Sequence, residues 1–265
     1  MALLQISFFS DVLNVGTSVN VILPEVNQGI GIVASRKKEL PKVLYLLHGY
    51  SDDHSIWMRR TSVERYAAAY NLAVIMPAVN HSFYCNERYG ERYWDYVSEE
   101  LPRVMHRFLR LSARPEDTYV AGLSMGGYGS MRLALTYPER FAGAASFSGA
   151  VNITEIMGLH DQDGTGERIF GDRMTDLKDT EVDLYHLMKK NADSPHKPWL
   201  YVSCGTDDFL YPFHQTFVPA LVSNEWDVTE YEEEGAIHEW GFWDREIRKF
   251  IDLMFAGKEN ETAIK

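Results

Sequence analysis

One segment restricts this chain more than any other: Tyr119-Val120-Ala121-Gly122-Leu123-Ser124-Met125-Gly126-Gly127-Tyr128-Gly129. A short apolar run from Tyr119 to Ala121, bounded upstream by Pro115-Glu116-Asp117, reads as a buried strand. It runs into Gly-x-Ser-x-Gly at Gly122, Ser124 and Gly126, and a helical pattern from Ser130 to Leu135 follows, stopping near Tyr137-Pro138. A serine on so sharp a turn sits in a strained conformation, and a Cβ on either flanking glycine would meet the adjoining strand or helix. The turn lifts the hydroxyl clear of a sheet, at the positive end of the following helix, where negative charge is favoured. Glycines near a serine are otherwise an ordinary turn. The strand before and the helix after are what give this pattern chemical meaning.

The rest of the chain alternates in the same way. Leu3 to Phe9 and Thr17 to Leu23, on either side of Asn14-Val15-Gly16, predict an antiparallel hairpin at a sheet edge. Continuous apolar runs at Val43 to Leu47, Ala73 to Met76, Gly143 to Phe147 and Trp199 to Cys204 predict strands covered on both faces. Val228 to Glu232 alternates as a further strand. Helical patterns fall at Val63 to Tyr70, Tyr93 to Leu111 (kinked or split by Pro102), Leu184 to Lys190, Phe213 to Ser223 and Trp243 to Met254. Gly29 to Leu40, with Arg36-Lys37-Lys38, reads as a solvated loop, and Gly257 to Lys265 as a frayed tail. The pattern loosens over 150–197, which predicts an insertion walling the active site, although a surface excursion would look the same. The expected fold is one α/β domain over 1–265, a doubly wound, mostly parallel sheet with an antiparallel N-terminal hairpin and a small cap-like insertion.

At 265 residues the chain can bury a substantial core, and its net charge of −12 argues against nucleic acid or an anionic membrane as partner. No basic stretch precedes an apolar core near the start, and no apolar run approaches membrane-spanning length, so a cytoplasmic location is expected. The two cysteines, Cys85 and Cys204, make no disulfide framework and fit a reducing compartment. Homo-oligomerisation is left open.

In a doubly wound sheet, reactive groups collect at the carboxyl ends of the strands. Ser124, Asp207, Asp208, His238 and His48 all fall just after predicted strands. A serine hydroxyl needs a base during attack, and His238, in a loop between the last strand and the last helix, is the candidate. The histidine needs a carboxylate to hold its tautomer. In Gly205-Thr206-Asp207-Asp208 the third residue past the glycine is Asp208, which is preferred over Asp207; the chain order Ser, Asp, His suits either. The oxyanion of a tetrahedral intermediate needs aimed N–H donors, one from Met125 and one from Tyr50 in the His48-Gly49-Tyr50 turn. Trp57 and Trp240, from an aromatic-rich set that is otherwise core (Phe83, Tyr84, Phe242, Trp243), are candidates to line an acyl or alcohol pocket. Asp161-x-Asp163-x-Thr165-Gly166 begins like a calcium loop, but Asp172 stands where a bidentate Glu belongs; a polar turn is the better reading and no metal site is expected.

With His48-Gly49, Gly122-Leu123-Ser124-Met125-Gly126-Gly127, Gly205-Thr206-Asp207-Asp208-Phe209-Leu210 and Gly235-x-x-His238-x-Trp240, the chain resembles the esterase D group of α/β-hydrolases over nearly its whole length. Within that group it is most similar to bacterial tributyrin esterases. The resemblance implies a serine carboxylesterase acting on small, short-chain acyl esters, with no cofactor. S-formylglutathione hydrolases of the same group continue the oxyanion turn with a Leu-Thr-Cys-like sequence, where this chain has Tyr50-Ser51-Asp52-Asp53. Carbohydrate acetyl or feruloyl esterases, thioesterases and acyltransferases share the scaffold. A binding protein that kept the fold without activity is the alternative from another class.

Overall fold

The apolar runs become the middle of an eight-stranded sheet in a computed structural model, which describes residues 1–25, 39–160 and 163–256. The basic stretch Arg36-Lys37-Lys38, Asp161 of the calcium-like pattern and the tail at 257–265 lie outside the described residues. In chain order the strands are β1 (Ala2–Ser10), β2 (Val15–Leu23), β3 (Lys42–Leu47), β4 (Leu72–Pro77), β5 (Thr118–Leu123), β6 (Gly143–Phe147), β7 (Trp199–Gly205) and β8 (Val228–Glu233). Their order across the sheet is β1-β2-β4-β3-β5-β6-β7-β8. β1 and β2 form the expected hairpin, in register from Ala2 opposite Leu23 to Ser10 opposite Val15, with Asn14 at φ 53° in the turn. β2 pairs antiparallel with β4, and every later pairing is parallel.

Burial follows strand position. β3 to β7 have helices on both sides, and nearly every residue in them is buried. Alternate side chains enter opposite layers: Val43, Tyr45 and Leu47 pack into one apolar cluster, and Leu44 and Leu46 into the other. β1 lies at the edge and alternates between half-buried and exposed, leaving Leu3 and Phe9 in solvent.

The helices are α1 (Ile56–Arg60), α2 (Val63–Ala68), α3 (Tyr93–Asp95), α4 (Leu101–Phe108), α5 (Met125–Thr136), α6 (Ile153–His160), α7 (Thr165–Phe170), α8 (Leu184–Lys190), α9 (Tyr211–Ser223) and α10 (Trp240–Ala256). Residues of α1, α2 and α10, among them Trp57, Val63, Ile247 and Phe250, cover one face. Residues of α4, α5, α8 and α9, among them Leu101, Met131, Leu187 and Phe217, cover the other. No helix among the described residues is long and apolar enough to cross a membrane.

The helix expected over Tyr93 to Leu111, kinked or split by Pro102, is divided by a wider π-helical turn at Tyr96–Glu100, between α3 and α4, and ends at Phe108. Pro102 has no N–H and its ring crowds the carbonyl four residues earlier, that of Ser98. That freed carbonyl accepts Nη1 of Arg140 at 3.0 Å instead. One expectation is corrected: among the described residues, 150–197 holds α6 and α7 as well as α8, where only α8 was expected. α6 and α7 each carry a glycine within their span, Gly158 and Gly166, and glycine disfavours helix, so these segments read as loop in sequence.

The sheet order has one consequence for function. The chain leaves β3 for β4 on one side and then returns to add β5 on the other. The carboxyl ends of β3 and β5 therefore lie side by side, with Leu47 paired to Gly122, where the direction of winding reverses. Crevices open at such switch points.

Candidate active site

Ser124 lies between the end of β5 and the first residue of α5, at φ 52° and ψ −117°. Positive φ is costly for a residue with a Cβ, and the surroundings hold it there. Its N–H donates to Phe147 O at 2.9 Å, and its carbonyl accepts the N–H groups of Tyr128 and Ala150 at 3.1 and 3.0 Å. A Cβ built on Gly122 would lie 2.3 Å from Gly126 O, and one on Gly126 would lie 2.5 Å from Leu47 O. Both glycines are thus required by the close approach of helix to strands. Met125, the first residue of α5, has an N–H that no preceding turn of helix can satisfy, and it follows directly on Ser124.

Asp208 and His238 come from the turns after β7 and β8. Asp208 Oδ2 lies 2.8 Å from His238 Nδ1, and the carboxylate is fully out of solvent. Its other oxygen accepts the Leu210 N–H at 2.8 Å, so both oxygens are committed and the group cannot rotate freely. Asp207 is exposed, and among the described residues its carboxylate accepts one hydrogen bond, from the Thr206 hydroxyl at 3.5 Å. The imidazole of His238 is flanked by Phe209, at 4.6 Å between ring centres, and by Trp243 at 4.8 Å. Ser124 and His238 line the same cleft with no hydrogen bond between their side chains. Such bonds are commonly long until substrate is bound.

Tyr50 follows β3 in the turn His48-Gly49-Tyr50. Val79 N–H donates to His48 Nε2 at 3.0 Å, so Nδ1 carries the proton and donates to Gly49 O at 2.7 Å. That bond pins the Gly49–Tyr50 peptide, the one whose N–H would serve an oxyanion. The Tyr50 ring stacks on His81 at 4.2 Å, and its hydroxyl hydrogen-bonds Asp163 and Thr165. Residues of 150–197 thereby hold the Tyr50 turn, with Asp163 and Thr165 of the calcium-like pattern as hydroxyl partners.

Burial pushes the His48 pKa down to about 4. An unfolded histidine takes up its proton near pH 6.5, so between these values the unfolded chain binds more protons than the folded one. The stabilisation is complete above pH 6.5 and is lost as pH falls toward 4, by about 3 kcal/mol. Urea unfolding at pH 7 and at pH 4.5 checks this. His48→Asn should be less stable than the parent at pH 7 and should lose less stability over the same interval.

The cleft has a volume of about 590 Å³ and is walled by Leu123, Phe209, Trp240 and Trp243, with Asp52, Arg60 and Glu239 as its charged members. Trp240 therefore borders it and Trp57 does not, which corrects the expectation for Trp57. That indole is 1% exposed, donates Nε1–H to Leu47 O at 3.0 Å, and stands edge-on to Trp240 at 5.3 Å. It supports the cleft wall from behind, because α1 carries it under the sheet end. Sequence reasoning missed Phe209 and Trp243. Phe209 is a 65% exposed aromatic beside a buried acid, an adjacency visible in the sequence, whereas nothing there separates Trp243 from a core indole. Away from the cleft, His214, Glu230 and Glu232 bring potential metal-ligand atoms within 4.8 Å of one another. Both cysteines are buried and unpaired, and burial raises their thiol pKa values.

Comparison with known proteins agrees with this architecture. The Esterase family model matches residues 10–249. A curated relative, an acetyl esterase of Caldicellulosiruptor saccharolyticus, is 31% identical over 96% of this chain and 98% of its own length. Among solved structures, the substrate-bound fluorophosphonate-binding serine hydrolase F of Staphylococcus aureus is 36% identical with a TM-score of 0.86, covering 96% of this chain and 98% of that one. An S-formylglutathione hydrolase from the same organism is also 36% identical, with a TM-score of 0.83 over the same shares of both chains.

Proposed function

We propose that this chain, which belongs to the Esterase family and is a carboxylic ester hydrolase, cleaves short-chain acyl esters through an acyl-serine intermediate on Ser124. The observation that carries the reading is the Asp208–His238 pair at 2.8 Å, sharing a cleft with a serine at φ 52°. His238 removes the Ser124 proton as Oγ attacks the acyl carbon, and Asp208 holds the tautomer and stabilises the imidazolium. The N–H groups of Met125 and Tyr50 take the charge developing on the carbonyl oxygen. His238 then protonates the departing alkoxide. A water molecule, deprotonated by the same imidazole, attacks the acyl carbon and frees Ser124.

Cleft chemistry favours a small, uncharged ester. Trp240 and Trp243, 5.2 Å apart, crowd the space beside His238 and support acetyl to butyryl groups over longer chains, in keeping with a tributyrin-like substrate. The relative named acetyl esterase points the same way. A second reading, S-formylglutathione hydrolysis, draws on the 36% identical structure of that name. Against it, Asp52 and Glu239 stand on the wall beside a single Arg60, unfavourable company for an anionic thioester. The buried, unpaired cysteines fit work in the cytoplasm.

A panel of 4-nitrophenyl acyl esters from acetate to octanoate, with acetylated sugars and S-formylglutathione, tests the assignment. Expected is a kcat/KM maximum at acetate to butyrate and a fall of about tenfold or more by octanoate. A maximum at octanoate, or on S-formylglutathione, overturns it.

A further inference from the structure

Arg132, on α5 about two turns beyond Ser124, is 5% exposed, and no carboxylate among the described residues lies within ion-pairing reach of it. Three of its N–H groups are engaged inside the protein. Nε donates to Glu181 O at 3.2 Å, and Nη1 donates to Tyr84 O at 2.9 Å and to Cys85 Sγ at 3.2 Å. The Trp94 indole covers the guanidinium, 3.9 Å from its ring centre. Nη2 has no hydrogen-bond partner among the described residues and, unlike the shut-in Thr136 hydroxyl, is not closed off from solvent. The space Arg132 borders is a cavity of about 580 Å³ that shares no lining residue with the catalytic cleft. Burying a cation without an answering anion is costly. Here the two unused N–H groups open onto a cavity of small-molecule size.

The other charged groups on the wall set the charge of the ligand. Asp95 is held by Arg92 in an ion pair. On the exposed rim, Arg173 and Lys190 offset Asp176 and Glu181 in number. What remains is the single charge of Arg132, which one monoanionic group balances. Because Nη1 is already engaged, the anion meets Nη2 alone and not the two-pronged fork that favours phosphate. A second polar group faces the same space. Asn191 donates Nδ2 to Leu135 O at 2.7 Å, which leaves its Oδ1 as an acceptor on the wall. An acceptor there suits a ligand hydroxyl.

We propose that this cavity is a second binding site, for a small hydroxylated monocarboxylate whose carboxylate meets Nη2 of Arg132. Calorimetric titration of the full chain with gluconate, with sorbitol and with inorganic phosphate tests it. Sorbitol has the carbon skeleton of gluconate without the charge. Expected is one saturable site for gluconate in the parent, with sorbitol weaker by about tenfold or more, the worth of a hydrogen bond to a charged group. Phosphate should also bind more weakly, because its second charge finds no free cation. In Arg132→Gln, gluconate and sorbitol should bind alike. Lys190→Glu, at an exposed rim position where folding is not at stake, should weaken gluconate by about threefold or more and leave sorbitol unchanged. Absence of saturable gluconate binding by the parent overturns the proposal, as does equal binding of sorbitol or tighter binding of phosphate. A gluconate preference that survives in a folded Arg132→Gln variant overturns it equally. If Arg132→Gln does not fold, Lys190→Glu decides, and unchanged gluconate binding there ends the proposal.

Discussion

Replacement of Ser124 by alanine is expected to lower turnover of 4-nitrophenyl acetate by about 10⁴-fold or more, equivalent to about 5.5 kcal/mol of barrier. The chain should fold as before. Alanine keeps the Cβ, so the cost of φ 52° is unchanged, and the backbone bonds to Phe147, Tyr128 and Ala150 involve no side-chain atom. Only Oγ is lost, and it makes no hydrogen bond with the described residues. On the proposed mechanism, the remaining activity would measure what the Met125 and Tyr50 N–H groups accomplish with water as nucleophile. A fluorophosphonate probe should label the parent and leave the variant unlabelled. Near-parental hydrolysis by a correctly folded variant would end the acyl-serine proposal.

The second large effect separates two adjacent carboxylates. Asp208→Asn should reduce kcat/KM by about 10⁴-fold, and Asp207→Asn by no more than a few-fold. At position 208 both carboxylate oxygens accept hydrogen bonds, from His238 Nδ1–H and from Leu210 N–H, each at 2.8 Å. An asparagine has one oxygen for two donors. If that oxygen takes Leu210 N–H, the amide NH₂ faces Nδ1 and selects the wrong imidazole tautomer. If it takes Nδ1–H, two N–H groups confront each other at a buried position, and that conflict costs stability as well. Asp207 is exposed and touches neither ring nor cleft, so its amide loses nothing comparable. Parallel thermal melts keep catalytic and folding losses apart. The reverse ranking would make Asp207 the orienting acid.

Much of this was legible because two kinds of constraint are local. A strand covered on both faces must be apolar throughout, so β3 to β7 stand out as runs, and glycines pressed against backbone must be glycine, so Gly122 and Gly126 mark the turn around Ser124. Chain order and position after strands then nominated His238, and the place of Asp208 as third residue past Gly205 made it the preferred acid. What escaped was set by contacts between distant segments. Trp57 and Trp240 look alike in sequence, yet only Trp240 borders the cleft, because α1 tucks Trp57 beneath Leu47. Phe209 and Trp243 bracket the imidazole through turns that meet only in the folded chain. The π-helical turn needed both Pro102 and Arg140, which takes the released carbonyl from a separate segment.

The sequence by itself therefore determined the succession of strands and helices, the strained serine turn and the residue types that follow each strand, since backbone sterics and burial act within a few residues. Only the tertiary structure decided that β5 lies against β3, so that Ser124 and the Tyr50 turn share one crevice. It alone decided which indole forms the wall and which carboxylate is buried against His238. Those outcomes depend on strand order and on packing across the sheet, and no periodicity along the chain encodes either.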